Sequence, residues 1–141
     1  MAKPPSLQKK IWAEMALRLK PDYWEAHNNL GYVLLSQRRW DDAVRHFNES
    51  LRLKANQPNA QFNLGTALAM GQKYEEAVLH YTECLELSPD YAPAHKNLGM
   101  ALACLGRREE AIRHLNEALR LKPDYEEARQ QLRALGTQPA E

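Results

Sequence analysis

The chain has 141 residues, 44% hydrophobic and 26% charged, with a formal net charge of +1. This balance gives no chain-wide charge excess of the kind that points to nucleic acid or to an anionic membrane. No run of roughly eighteen apolar residues occurs, so no membrane insertion is expected, and the N-terminal stretch lacks the apolar core of a signal peptide.

In chain order, residues 1–6 are expected to be extended or disordered, and 7–23 to form a capping helix or half of a repeating unit. Ile11 to Lys20, followed by Pro21-Asp22-Tyr23, matches the closing half of the units that come after it. Its partner helix is absent from the sequence, which leaves two readings open: a degenerate N-terminal cap, or a piece of a longer array.

From residue 24 the chain repeats. Asn-Leu-Gly stands at 29–31, 63–65 and 97–99, a period of 34 residues. Ala43, Ala77 and Ala111 follow in register, then Phe47, Tyr81 and Leu115, then Ser50, Cys84 and Ala118. A fixed period of this length means stacked supersecondary units, here 24–57, 58–91 and 92–125. Apolar residues at three- and four-residue spacing (Leu30, Val33, Leu34; Ala43, Val44, Phe47, Leu51) predict two helices per unit. The break between them holds Gln37-Arg38-Arg39, Gly71-Gln72-Lys73 and Gly106-Arg107.

Acidic pairs (Asp41-Asp42, Glu75-Glu76, Glu109-Glu110) open the second helices, where the helix dipole favours negative charge. Pro21, Pro89 and Pro123 stop helices before each new unit; Ala55 takes that place once, with Pro58 just after it. Gly31, Gly65 and Gly99 fall in mid-helix, where glycine costs roughly 0.5–1 kcal/mol relative to alanine. Close approach of two helices is the expected reason, with Ala43, Ala77 and Ala111 facing the glycines.

Residues 126–136 restart the first-helix pattern with Ala128 and Leu132, but Arg133 replaces the glycine and Gly136 then ends it. A solvating C-terminal capping helix is expected, followed by a flexible tail at 137–141.

Charge is uneven along the array. Residues 1–57 carry ten Lys/Arg against six Asp/Glu (+4), 58–91 one against five (−4), and 92–141 eight against seven (+1). Cys84 sits in the small-residue slot of Ser50 and Ala118 and reads as a small hydrophobe. Reduced thiols at Cys84 and Cys104 fit a cytoplasmic setting. His46, His80 and His114 recur at one register, and His27 and His95 at another. Equivalent positions in adjacent units stand at least a helix-packing step apart, about 8–10 Å. Zinc needs its nitrogen ligands at about 2.0–2.1 Å, so structural or surface histidines are expected and no metal. No phosphate-cradling glycine loop and no nucleophile–base motif is present; neither catalysis nor a cofactor is expected.

The period, the small residues and the helix-ending prolines together resemble the tetratricopeptide repeat family over residues 24–125. His27, Gln61 and His95 stand where that family favours Trp, and Leu34, Leu68 and Leu102 where it favours Tyr. The resemblance implies an all-α, right-handed superhelical solenoid of antiparallel helix pairs. Its first helices would line a concave groove that takes extended peptides. Carried onto this sequence, the lining is Asn28, Asn29 and Tyr32; Phe62, Asn63, Thr66 and Met70; Lys96, Asn97 and Met100; and Gln131 from the cap.

Asn29, Asn63 and Asn97 form a ladder whose carboxamides can both donate to and accept from a peptide backbone. Of the carboxylate clamp found in co-chaperone members, Asn63 alone is matched; Asn28, Tyr32, Pro93 and Asn97 occupy its other places. The ladder is more similar to the repeats of O-linked N-acetylglucosamine transferases and related bacterial proteins. The leading expectation is a non-enzymatic scaffold with a protein or peptide partner. The alternatives are a substrate-recruiting module of a larger enzyme such as a glycosyltransferase, and self-association through the N-terminal helix around Ile11, Trp12 and Met15.

Overall fold

The computed structural model describes residues 5–137. Among them it shows eight α-helices and no strand: α1 (Pro5–Leu19), α2 (Trp24–Ser36), α3 (Trp40–Leu53), α4 (Pro58–Met70), α5 (Tyr74–Leu87), α6 (Ala92–Cys104), α7 (Arg108–Leu121) and α8 (Glu126–Ala134). Helix α1 begins at Pro5, inside the stretch expected to be extended. A proline is well suited to a first helical turn, whose N–H groups have no intrahelical partner anyway. Residues 1–4 and 138–141, expected to be loose, lie outside the described residues.

Each helix packs on its neighbours in sequence, and α2 touches α4, α4 touches α6 and α6 touches α8. No such contact joins α3 to α5 or α5 to α7. The row of first helices is therefore the tighter one, which puts it on the inside of the curve and the second helices outside.

The glycines explain how the pairs close. A methyl group on Gly31 would come within 2.8 Å of the Phe47 ring, on Gly65 within 2.8 Å of the Tyr81 ring, and on Gly99 within 2.8 Å of Leu115 Cγ. The residue over each glycine is thus the bulky one four positions after the expected alanine. Ala43, Ala77 and Ala111 are fully buried beside it, and the Ala111 carbonyl would lie 3.1 Å from a methyl on Gly99. Leu30, Leu34, Leu64, Leu68, Leu98 and Leu102 complete a continuous seam, and Leu119, Tyr125, Ala128 and Leu132 form a second cluster under α8.

First helices end in a common turn. Arg39, Lys73 and Arg107 donate their N–H to Leu34, Leu68 and Leu102 at 2.9, 2.8 and 2.9 Å, the six-to-one bond of a Schellman close. That close needs a left-handed residue, and it falls on Arg38 (φ 62), Gln72 (φ 63) and Gly106 (φ 76). Helix α8 stops a turn early, at Gly136 (φ 76), where Thr137 N–H reaches Leu132 O at 3.1 Å. Gly136 stands where the other units have Leu34, Leu68 and Leu102. The Arg108 guanidinium donates to Leu135 O at 2.7 and 3.2 Å, pinning the end of the cap to α7.

Candidate peptide-binding groove

The inner helices bring the expected residues onto one face but leave them unequally available. Asn29 and Tyr32 are exposed and share a cavity of about 430 Å³ with Lys9, Trp12, Ala13 and Ala16 of α1 and with Tyr23 and Ala26. Thr66, Met70, Asn97 and Met100 line a second cavity of about 220 Å³, together with Ala69, Tyr74, Tyr81, Ala101 and Cys104. Met70 and Met100 are exposed there, flexible apolar side chains suited to varied contacts.

Asn97 is held within the second cavity. Its amide donates to Tyr81 Oη at 3.4 Å and to Thr66 Oγ1 at 3.5 Å, while the Tyr81 hydroxyl donates to Thr66 Oγ1 at 3.0 Å. Thr66 in turn donates to Phe62 O at 3.0 Å. Burial pushes the Tyr81 phenol up to about 12, so it stays a donor at neutral pH. Phe62 packs edge-on against Tyr91 at 5.1 Å between ring centroids and tilted against Tyr81 at 5.8 Å. Asn63 and Gln131 are half-buried.

Two expected lining residues are turned away from a free role in the groove. The Asn28 amide donates to Gln57 Oε1 at 2.5 Å, and Gln57 in turn donates to Ser50 O at 3.1 Å and Lys54 O at 2.6 Å. Asn28 therefore ties α2 to the closing end of its own unit, just before α4. Gln57 fills the register of Tyr23, Tyr91 and Tyr125, which is what makes this relay possible. The Lys96 ammonium bonds Glu127 and lies 5.3 Å from the Tyr125 ring centroid. Its side chain is 14% exposed, so the cation serves the cap.

The histidines form pairs that a comparison of like registers cannot find. His27 Nδ1 meets His46 Nδ1 at 3.1 Å, and His95 Nδ1 meets His114 Nδ1 at 3.2 Å. The spacing of 19 residues, repeated at 27/46, 61/80 and 95/114, was the available signal. The ring centroids are 5.3 and 5.4 Å apart, about the nitrogen gap plus the two ring radii, so the nitrogens meet head-on. No group of three or more His, Cys, Asp or Glu that could hold a metal ion occurs among the described residues, and the contact is that of an N–H···N bond.

His27 Nε2 lies 3.0 Å from Pro21 O and His95 Nε2 2.9 Å from Pro89 O. A carbonyl only accepts, so Nε2 carries the proton and Nδ1 accepts from the partner ring. In the middle unit Gln61 replaces the first histidine, meeting His80 Nδ1 at 2.8 Å and donating to Glu83 at 2.7 Å. Burial first, then the neighbouring histidine, lowers His46 and His114 below their ordinary value; burial lowers His80. Cys84 is fully buried, which pushes its thiol up to about 11 and keeps it inert.

Comparison with known proteins agrees with this architecture. Two family models, each described as tetratricopeptide repeat, match residues 22–90 and 67–136. No curated protein matches in sequence. Among solved structures, a crystal structure of MamA superposes with a TM-score of 0.86 at 19% identity, over 96% of this chain and 84% of that one. A double mutant, MamA RS-1 ArsTM, gives 0.87 at 21% identity, over 93% and 74%. The first tetratricopeptide domain of Spaghetti (RPAP3), bound to the HSP90 peptide SRMEEVD, gives 0.78 at 22% identity, over 80% and 90%. At these identities the likeness shows the fold. With the period, the glycine–bulky pairing and the matched models in agreement from residue 22 to residue 136, the chain belongs to the tetratricopeptide repeat family.

Proposed function

We propose that the chain is a protein-interaction scaffold that takes an extended peptide segment along the face formed by α2, α4 and α6. The observation that carries this reading is the cavity shared by Thr66, Met70, Asn97 and Met100 on adjacent first helices. It combines an apolar seat for one partner side chain with the Asn97 carboxamide for the partner backbone. Asn29 is open to solvent, and Asn63 has both halves of its carboxamide available. Asn97 has its N–H engaged by Tyr81 and Thr66 and keeps its carbonyl oxygen as an acceptor.

A net bond of this kind contributes roughly 0.5–1.5 kcal/mol, so the rungs act together or not at all. The bound peptide in the RPAP3 structure supports the same use of the fold. Lys96 is committed to Glu127 and Asn63 is the one clamp residue present, so a C-terminal carboxylate is not the favoured handle here.

Pull-down with the wild-type chain, followed by mass spectrometry, tests the proposal when an Asn29→Ala/Asn63→Ala/Asn97→Ala variant serves as the control. Partners retained by the wild type and lost by the folded variant are expected. Identical partner sets would refute the groove.

A further inference from the structure

Charge separates by helix row. Helix α4 holds no charged residue, α2 holds Glu25 alone and α6 Lys96 alone, whereas α3, α5 and α7 hold five, four and six. Glu25 lies in the first turn of α2, and Lys96 is already bonded to Glu127. The cavity of about 220 Å³ lined by Met70 and Met100 has no charged residue in its wall. From α4 to α6 the inner face thus holds no uncommitted charge among the described residues.

A chain of hydrogen bonds fixes what Asn97 can do there. Phe62 O only accepts, so the Thr66 hydroxyl is its donor at 3.0 Å. With its one proton committed, Thr66 Oγ1 accepts from the Tyr81 hydroxyl at 3.0 Å, which then has no second proton to give. The Asn97 amide must be the donor to both oxygens, at 3.4 and 3.5 Å. Its carbonyl oxygen is left as the unengaged group, an acceptor only.

We infer, resting on the reading of this face as a peptide groove, the class of segment it takes. That segment is uncharged, seats one side chain the size of leucine, methionine or phenylalanine in the cavity, and donates a backbone N–H to Asn97 Oδ1. An apolar space of about 150 Å³ already accommodates a benzene ring, so the cavity has room for any of the three. Met70 and Met100 are flexible enough to adapt the wall to their different shapes. A carboxylate or ammonium in the same place would give up its water and meet no counter-charge. Proline brings no N–H, so it is excluded at the one position that faces Asn97.

The test is a selection of random peptides of about 12 residues, displayed on phage, against the full chain. At roughly 3.3 Å per residue they can cross three helices spaced about 8–10 Å apart. The Asn29→Ala/Asn63→Ala/Asn97→Ala variant and Met70→Glu, which charges the cavity wall at an exposed position, are run in parallel. Enriched sequences are expected to lack Asp, Glu, Lys and Arg around a shared Leu, Met or Phe, and to be lost on both variants. A synthetic peptide of the enriched sequence should change its dissociation constant less than about twofold between roughly 50 and 500 mM sodium chloride. Methylating its backbone nitrogens singly should weaken wild-type binding about fivefold, one net hydrogen bond, at a position where the same change has no effect in Asn97→Ala.

Acidic or basic sequences that the triple variant loses would overturn this inference and leave the groove standing. Sequences held equally by the triple variant would refute the groove itself, and the inference with it. No enrichment, retention by Met70→Glu, a strong salt dependence, or no methylated position coupled to Asn97 would each overturn the inference.

Discussion

Asn63 and Asn97 stand in the same register of successive units, and each looks back across the groove at the unit before it. Behind Asn97 are Tyr81 and Thr66, whose hydroxyls hold its amide at 3.4 and 3.5 Å. Behind Asn63 the same places hold Phe47 and Tyr32, and Asn63 makes no side-chain hydrogen bond among the described residues. Two hydroxyls, those of Tyr81 and Thr66, face Asn97 where Phe47 and Tyr32 precede Asn63, and they separate a bonded rung from an open one. A repeated residue is therefore not a repeated function: its availability is set by the variable positions of the preceding unit.

The largest way to disturb this contrast is to move Tyr81 itself. Gly65→Val places a branched side chain where a methyl would already lie 2.8 Å from the ring. Overpacking of this kind should cost about 3 kcal/mol, read as a lower urea midpoint. Tyr81→Phe removes one of the two hydroxyls that hold Asn97 while keeping the shape. It should cost about 1 kcal/mol for the lost hydrogen bonds and shift the Asn97 side-chain amide signals toward those of Asn63 in a heteronuclear NMR spectrum.

A second contrast, between the outer units with their histidine pairs and the middle unit with Gln61–His80, predicts a pH dependence. His46, His80 and His114 all titrate below 6.5 in the folded chain. The unfolded chain thus takes up protons first as the pH falls. Their contribution is fully present above pH 6.5 and is lost as the pH falls through the lowered values. Urea midpoints should drop between pH 7.5 and 5.5. His46→Gln or His114→Gln should flatten that drop more than His80→Gln, because His46 and His114 also face a second imidazole.

The smallest effect expected is a gain. Gln72→Gly relieves a left-handed residue, worth about 1–2 kcal/mol, and adds glycine's backbone entropy, about 0.5–1 kcal/mol. The net is roughly 0.5 kcal/mol of added stability, measurable by thermal melting against Gly106→Ala, which should lose stability.

The period, the helix pairs and the tight glycines could be read from residues because each follows from a local pattern repeated three times. What could not be read lies in contacts between unlike registers. Lys96 looked like a groove cation because its bond to Glu127 spans 31 residues and crosses into the cap. Asn28 looked like a ligand because its partner Gln57 breaks the tyrosine pattern at one junction only. The left-handed turn at residues 38 and 72 was hidden by Arg and Gln, with the glycine that would reveal it present only at 106. The histidine pairs do not show along the array at equivalent positions, because each forms across the two helices of one unit.

The central claim is that the carboxamide ladder holds a partner segment in the groove. Its most direct test is the affinity of the partner peptide recovered by pull-down for the wild type and for the Asn29→Ala/Asn63→Ala/Asn97→Ala variant, with thermal melts run on both. Loss of three net bonds of roughly 0.5–1.5 kcal/mol each predicts at least a tenfold weaker dissociation constant, with the variant still folded. A folded variant that binds with wild-type affinity would contradict the account.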